Sequence, residues 1–242
     1  MKIIQKIVEK KRVPMSCECV TIAFLGDSVT QGCFEVYRKR NGDIETVFEK
    51  KFSYQMTVFD ILATLFPTVT VNIVNAGISG DQATRGVLRV DSHVIRHQPD
   101  LTVVCYGLND CSNKKDSVNV YVNALDGIFN KLQACGSEVI FMTPNMMNTR
   151  ISDHIADEAI LKIAENTAFL QNEGIFDAHI EAAKKLCRAK NIPICDCYAL
   201  WKRLDSCGVD TTELLSNKIN HPSREMNKMF AYELVKTMFL EN

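Results

Sequence analysis

Residues 20–28 read VTIAFLGDS, and this stretch decides the fold. Residues 20–25 are mostly apolar and rich in β-branched side chains, which is typical of a buried strand. The run ends abruptly at Gly26, where a carboxylate and a hydroxyl follow. Such a strand delivers Ser28 to the carboxyl edge of an open α/β sheet, where these sheets bind their ligands. At this point Ser28 is either a nucleophile or a turn residue.

Four further apolar runs repeat the pattern, at residues 69–74, 101–106, 138–142 and 192–195. Between and after them lie stretches with helical spacing, at residues 54–65, 82–97, 120–132, 156–170 and 177–190, and an amphipathic helix after residue 222. Strands that alternate with helices predict parallel βαβ units and a three-layer α/β/α sandwich. The polar segment 33–51 contains Asn41-Gly42, a turn signal, and predicts a loop or small hairpin over the sheet edge.

Composition predicts one α/β domain over residues 1–242, with residues 1–19 as an N-terminal extension and 146–176 as a helical insertion. The chain is 46% hydrophobic and 24% charged, with a formal net charge of −1. This balance argues against nucleic-acid binding, which usually needs a basic face. No stretch approaches the roughly 20 apolar residues that span a bilayer.

The ten cysteines indicate reduced thiols, because they are scattered and no signal peptide is recognisable. The expected location is therefore the cytoplasm. Cys17-x-Cys19 and Cys195-x-Cys197 lack the Cys-x₂-Cys spacing and the nearby histidine of a zinc site. We predict no metal.

Small and polar residues follow each of the first four predicted strands. The stretches are Gly26-Asp27-Ser28, Asn75-Ala76-Gly77-Ile78-Ser79-Gly80-Asp81, Gly107-Leu108-Asn109-Asp110 and Thr143-Pro144-Asn145. Any one of them is compatible with a turn, because Gly, Asn, Asp and Ser dominate turns. Their arrival at one sheet edge predicts a functional site there.

This edge contains the groups that acyl transfer requires: a nucleophile, a base and donors for the developing oxyanion. Ser28 is the candidate nucleophile. The backbone N–H groups of Ser28 and Gly80 and the side-chain amide of Asn109 are the candidate donors. Glycine at position 80 lets the main chain approach a substrate closely, because it has no Cβ.

His221 is the candidate base among five histidines. It directly precedes Pro222, and proline suits the first position of a helix. A helix N-terminus disfavours a charged imidazole, and a general base must be neutral at rest. On position alone, a helix cap is an equal alternative for His221.

Together these residues resemble the SGNH, or GDSL-type, hydrolases. The four blocks of that family occur here in order, as Gly26-Asp27-Ser28, Gly77-Ile78-Ser79-Gly80-Asp81, Gly107-Leu108-Asn109-Asp110 and His221-Pro222. The resemblance spans residues 20–240 and is to members with Asn-His-Pro in the histidine block. It implies a flavodoxin-like five-stranded parallel sheet, with Ser28 as nucleophile, Gly80 and Asn109 as oxyanion donors and His221 as base. No cofactor is implied.

One position departs from the family pattern. The family usually carries Asp three residues before its histidine, where it orients the imidazole, and this chain has Lys218. No carboxylate lies between Glu213 and His221. Either a main-chain carbonyl holds the ring, or an acid such as Asp205, Asp210 or Glu213 folds back. Weak catalysis is the third outcome, since loss of the orienting acid can cost several powers of ten in rate.

The leading hypothesis is a serine esterase that cleaves small acyl esters through an acyl-enzyme, such as an acetyl esterase on a carbohydrate or similar small molecule. A lysophospholipase or thioesterase-type lipase is the alternative within the class and needs a longer apolar groove. A flavin-binding protein is an alternative of another class, because Ser28 and Thr30 could hold a phosphate. A non-catalytic carbohydrate-binding relic is a further one, motivated by Lys218. The oligomeric state is open.

Overall fold

The computed structural model describes residues 1–15 and 18–240. Its strands are β1 (Val20–Gly26), β2 (Cys33–Arg38), β3 (Ile44–Phe48), β4 (Val71–Gly77), β5 (Leu101–Cys105), β6 (Glu138–Met142) and β7 (Ile194–Cys195). Its α-helices are α1 (Lys2–Arg12), α2 (Ser28–Gln31), α3 (Tyr54–Leu65), α4 (Ala83–His93), α5 (Ser117–Ala134), α6 (Glu158–Asn172), α7 (Ile175–Ala189), α8 (Cys197–Ser206) and α9 (Arg224–Leu240). Short 3-10 turns lie at Lys50–Phe52 and Ile95–His97.

Five of these strands form one parallel sheet in the order β4-β1-β5-β6-β7. Counted within the sheet, this order is 2-1-3-4-5, which is the flavodoxin-like arrangement. The predicted α/β class and sheet are confirmed. The next strand of this sheet after β1 in the chain, β4, is added on one side of it, and the following strand, β5, is added on the other side. Ligands of such sheets bind at this switch point between β1 and β5.

Residues of β1 alternate between two hydrophobic cores, one on each face of the sheet. Ile22 and Phe24 belong to the core that includes residues of α3 and α9. Ala23 and Leu25 belong to the core that includes residues of α4 and α5. Every residue of β1 is buried, as expected for a parallel strand with helices on both faces.

The first residues form a helix that packs on the sheet. Ile3 and Ile7 of α1 are buried in the first core. The Glu138 carboxylate accepts hydrogen bonds from the backbone N–H groups of Lys2 and Ile3, at 2.9 and 2.6 Å, and so caps the start of the helix. The division into extension, domain and insertion stays a prediction.

Several predicted boundaries were wrong. The second sheet strand spans Val71–Gly77 rather than 69–74, because Val69 N–H closes a turn onto the Phe66 carbonyl at 3.0 Å and the strand continues to Gly77. The last strand is only Ile194–Cys195, since the preceding proline has no N–H for the ladder.

Residues 33–51 were predicted to form a loop or a small hairpin, and the structure contains a hairpin. Strands β2 and β3 pair antiparallel across a turn at Asn41 and Gly42. Cys33 faces Phe48 and Val36 faces Thr46, so the register shifts by one residue between the two pairs. This irregularity has the two-against-one count of a β-bulge.

In the described residues, no helix combines the length and the apolar character needed to cross a bilayer. Nine cysteines lie in this part of the chain and all are free. Cys17 is outside it, so the interpretation of Cys17-x-Cys19 lies outside the described residues.

Candidate active site

Ser28 lies at the first position of α2, directly beyond the carboxyl end of β1. Asp27 shapes this turn, because its Oδ1 accepts the Val29 N–H at 3.0 Å. A Cβ at Gly26 would lie 2.2 Å from Thr30 Oγ1 and 2.6 Å from the Cys105 carbonyl, so only glycine fits. The Gly-Asp-Ser sequence therefore holds Ser28 at the switch point of the sheet.

The Ser28 hydroxyl contacts His221, which is 193 positions away in the chain. Ser28 Oγ and His221 Nε2 are 2.9 Å apart. On the other side of the ring, His221 Nδ1 lies 2.7 Å from the Phe34 carbonyl oxygen. A carbonyl only accepts, so Nδ1 carries the hydrogen and Nε2 is left as an acceptor for the serine proton.

The loop before His221 is built on Asn217. Its Oδ1 accepts the backbone N–H groups of Ile219, Asn220 and His221, at 3.0, 2.9 and 2.9 Å. One amide oxygen thus folds the segment into a compact turn. This turn presents the imidazole to Ser28.

The prediction that Pro222 begins the last helix was wrong. Helix α9 begins at Arg224, and Pro222 instead forms an isolated antiparallel bridge with Leu215. The Ser216 N–H donates to the His221 carbonyl at 2.7 Å and strengthens this bridge. A pairing with a residue seven positions earlier has therefore overridden the helix preference of proline.

Burial rather than a helix terminus keeps His221 neutral. The residue is 5% exposed, and desolvation lowers its pKa from 6.5 to about 4. The Phe34 carbonyl and the Glu35 carboxylate act in the opposite direction, because both favour the imidazolium. At neutral pH the ring is unprotonated at Nε2, as a general base requires.

Lys218 points away from the imidazole. Its Nζ donates to the Glu213 carboxylate at 2.7 Å and to the Glu213 carbonyl at 2.9 Å. Glu213 and Asp210 in turn pair with Arg150, at 2.8 and 2.6 Å. Of the two expected replacements for the family acid, a main-chain carbonyl or an acid that folds back, the structure contains the main-chain carbonyl.

Two backbone N–H groups at the carboxyl edge of the sheet are unpaired among the described residues. The N–H groups of Ser28 and Gly80 have no hydrogen-bond partner within residues 1–15 and 18–240. Gly80 has a φ of +72°, in the region that favours glycine, and a Cβ there would meet nothing within 4 Å. Its loop is held to β1 and α2 by Ile78 N–H to the Gly26 carbonyl at 3.1 Å and Ser79 N–H to Gln31 Oε1 at 2.5 Å.

Asn109 lies in the loop after β5 and reaches towards the same loops. Its Nδ2 donates to the Asp81 carbonyl at 3.0 Å and has a long contact of 3.5 Å with Asp27 Oδ2. An amide nitrogen carries two hydrogens, so the second one is only weakly engaged. All four predicted site residues therefore lie at the carboxyl edge of the sheet.

Asp27 and Asp110 position loops. The Asp110 Oδ1 accepts the Ala83 N–H at 2.8 Å at the start of α4. Burial raises the pKa of Asp27 to about 7, and burial raises that of Asp110 to about 7 as well. These carboxyl groups change charge near neutral pH, close to Ser28 and Asn109.

Arg89 ties the first two blocks together, which sequence reasoning missed. Its guanidinium donates to the Gly26 carbonyl at 3.0 Å, to the Ala76 carbonyl at 2.7 Å and to Asp81 Oδ2 at 2.6 Å. Tyr106 Oη donates to the same carboxylate oxygen at 2.8 Å. Burial acts to raise the pKa of Asp81, but the hydrogen bonds from Tyr106, Arg89 and Arg85 outweigh this effect and lower the pKa.

Among the described residues, none of the other four histidines hydrogen-bonds to Ser28. His93 and His97 are on or after α4, and His154 precedes α6. His179 is buried in α7, where its Nδ1 lies 2.8 Å from the Ile175 carbonyl.

A flavodoxin-like sheet, with a serine after the first strand bonded to a histidine near the end of the chain, defines an SGNH-type ester hydrolase. The sequence model of the GDSL-like Lipase/Acylhydrolase family matches residues 24–229. The chain belongs to this family, and is a carboxylic ester hydrolase by class. No curated protein matches it in sequence.

Solved structures share the fold at low identity. A catalytic mutant of Axe2, an acetylxylan esterase from Geobacillus stearothermophilus, aligns with a TM-score of 0.67 and 19% identity over 92% of this chain and 95% of that one. A lipase/acylhydrolase from Enterococcus faecalis gives 0.65 and 20% over 90% and 95%. A two-domain esterase active on acetylated mannans gives 0.67 and 16% over 98% of this chain and 52% of that protein.

Proposed function

We propose that this protein is a serine esterase that removes a short acyl group, such as acetyl, from a carbohydrate or similar small alcohol. Ser28 is the nucleophile and His221 is the general base. The N–H groups of Ser28 and Gly80 and the side-chain amide of Asn109 stabilise the oxyanion. The reaction passes through an acyl-enzyme and needs no cofactor.

The observation that carries this proposal is the line of contacts through the imidazole. Ser28 Oγ is 2.9 Å from His221 Nε2, and His221 Nδ1 is 2.7 Å from the Phe34 carbonyl. This is the nucleophile, base and orienting group of a serine hydrolase, with a carbonyl in the place of the usual acid. If Ser28 were only a turn residue and His221 only a helix cap, these contacts on both ring nitrogens would not be required.

The steps follow from these contacts. Ser28 Oγ attacks the ester carbonyl while its proton passes to His221 Nε2, and the carbonyl oxygen becomes an oxyanion between the three donors. The oxyanion collapses, the ester C–O bond breaks, and His221 returns the proton to the leaving alcohol. Water then attacks the acyl-enzyme with His221 again as base, which releases the acid and restores Ser28.

The choice of a sugar as leaving group is supported by the structural neighbours, several of which are named as esterases acting on acetylated xylan or mannan. A cleft of about 360 Å³ lies between hairpin β2–β3 and the start of α6. Its lining mixes polar side chains such as Tyr37 and His154 with apolar ones such as Ile155, and includes neither Ser28 nor His221.

The test combines labelling with turnover. A fluorophosphonate probe should label wild-type protein at Ser28, and Ser28→Ala should lower p-nitrophenyl acetate hydrolysis roughly ten-thousand-fold or more. Ser206→Ala is the matched control, because Ser206 lies exposed at the end of α8 and bonds only its own helix. Unchanged turnover in Ser28→Ala would remove Ser28 from the chemistry.

Acyl length and leaving group are measured on the same preparation. We expect acetyl esters to be cleaved faster than butyryl or octanoyl esters, and acetylated xylo-oligosaccharides to release acetate. A preference for octanoyl esters would instead support the lysophospholipase or thioesterase alternative. A wild-type protein without turnover on any acyl ester would support the carbohydrate-binding relic, and a yellow protein would support flavin binding.

We also propose a reducing compartment such as the cytoplasm. The nine cysteines within the described residues are all free. Even the sulfurs of Cys195 and Cys197, which are 3.7 Å apart, are not joined. Assignment to a subgroup with Asn-His-Pro remains a prediction.

A further inference from the structure

His221 and Arg224 together contact two neighbouring residues of β2, Phe34 and Glu35. His221 Nδ1 contacts the Phe34 carbonyl at 2.7 Å. The Arg224 guanidinium lies over the Phe34 ring, 4.5 Å from its centroid, and binds both carboxylate oxygens of Glu35, at 2.6 and 3.0 Å. The segment from His221 to Arg224 therefore contacts both the backbone of Phe34 and the side chains of Phe34 and Glu35.

These two residues lie where the hairpin is irregular. The register shifts between Cys33 and Val36, so Phe34 and Glu35 face a single residue of β3, Val47. Bulges of this kind occur next to active sites, where they re-aim a group. Here the group is the Phe34 carbonyl. Because the ladder is interrupted at this point, the direction of the carbonyl depends on other contacts.

Arg224 supplies contacts to both strands of the hairpin. Besides Glu35, its Nε donates to Glu49 Oε2 at 2.5 Å, and Nη2 contacts the same oxygen. Glu49 follows β3, and its N–H donates to the Gly32 carbonyl at 2.9 Å, at the open end of the hairpin. A planar guanidinium can bridge two carboxylates in this way, and a lysine ammonium cannot match its geometry.

We propose that Arg224 is a positioning residue for the base: by clamping Phe34 and Glu35 it aims the Phe34 carbonyl at His221 Nδ1. This inference rests on the proposed Ser28–His221 chemistry. The clamp keeps the hydrogen on Nδ1 and the Nε2 lone pair towards Ser28. Without it the carbonyl can turn away and the imidazole loses its fixed orientation.

The ion-pair cluster of Arg224, Glu35 and Glu49 also determines the charge close to His221. Glu35, Glu49 and Arg224 together carry one net negative charge, and the field of Glu35 favours the imidazolium form of His221. The other close contacts of the ring are the uncharged Ser28 hydroxyl and the Phe34 carbonyl. Removal of Arg224 leaves two uncompensated carboxylates, which act to raise the His221 pKa, while loss of the Phe34 carbonyl contact acts to lower it.

The experiment compares Arg224→Met, Arg224→Lys and Glu35→Gln with the wild type on p-nitrophenyl acetate. For Arg224→Met we expect kcat to fall on the order of 10- to 100-fold with little change in KM, since a small misplacement has effects of this size. Arg224→Lys keeps the positive charge but cannot bridge the two carboxylates in the same way, so its kcat should stay low.

Glu35→Gln separates positioning from simple unfolding. It also breaks the clamp, so kcat should fall, but it removes a negative charge and should move the acid limb to lower pH. Lys184→Met is the matched control, because Lys184 likewise bridges two carboxylates, Glu181 and Asp196, both at 2.7 Å, away from the hairpin. It should keep wild-type kinetics.

Each outcome decides one point. Arg224→Met with wild-type kcat overturns the positioning role while leaving the esterase intact. If Arg224→Met does not fold, Glu35→Gln decides: unchanged kcat and acid limb overturn the role, and a loss of kcat with an acid limb at lower pH supports it. A wild type without Ser28-dependent turnover overturns the proposed function itself, and the inference with it.

Discussion

Burial of His221 predicts that the proposed base works well into the acid range. The imidazole pKa is lowered by burial from 6.5 to about 4. A general base acts only while neutral, so activity should be retained below pH 6.5 and lost as the pH falls through about 4. At pH 5.5 about 97% of such a ring is neutral, against about 9% for an ordinary histidine. The expected difference in rate at that pH is roughly tenfold.

The assay follows kcat/KM for p-nitrophenyl acetate across the acid range, at the wavelength where nitrophenol and nitrophenolate absorb equally. Circular dichroism at each pH confirms that the protein is folded. Asp27 and Asp110, whose pKa values burial raises to about 7, add a second titration near neutral pH. The profile is therefore also recorded for Asp27→Asn and Asp110→Asn, which lack it, and His97→Gln is the control, since His97 is exposed. A half-maximum near pH 6.5 that remains in the folded Asp27→Asn and Asp110→Asn proteins would refute the burial argument.

Two substitutions test the orienting group and the oxyanion site. Lys218→Asp restores the usual family acid, but we expect no gain in kcat, because His221 Nδ1 already bonds the Phe34 carbonyl and position 218 is turned towards Glu213. Melting should show a loss of no more than about 1 kcal/mol from the partly exposed ion pair, and a tenfold gain in kcat would contradict the structure. Asn109→Ala should lower kcat roughly 100- to 1,000-fold with little change in KM. Steady-state kinetics measures both parameters, and unchanged kcat would remove Asn109 from the oxyanion site.

The sheet and its polar edge were predictable because both follow from local patterns. The run at Glu138–Met142 has the same bounds in sequence and structure. Ser28, Gly80 and Asn109 could be placed at one edge because each follows a parallel strand. The bounds of β4 were wrong because a turn at Val69 and pairing through Gly77 shifted the strand.

The surroundings of the histidine were not predictable in the same way. Its partner is the Phe34 carbonyl, and every residue has a carbonyl, so no side-chain signal marks this one. Pro222 was wrongly predicted to begin the last helix because its helix propensity gives no information about its bridge to Leu215. Arg224 was missed because its proposed role depends on contacts with a hairpin 189 positions away in the chain.

Because the partner of His221 Nδ1 is a main-chain carbonyl, no single side-chain substitution removes this acceptor. An aspartate is lost in one substitution and is neutralised in acid, whereas the Phe34 carbonyl is encoded by no particular side chain and does not titrate. Replacing residue 34 alters the ring beneath Arg224 but leaves an acceptor in place. Selection must therefore preserve the backbone path of the hairpin rather than one acidic residue. A motif search that demands this acid will pass over esterases built as this one is.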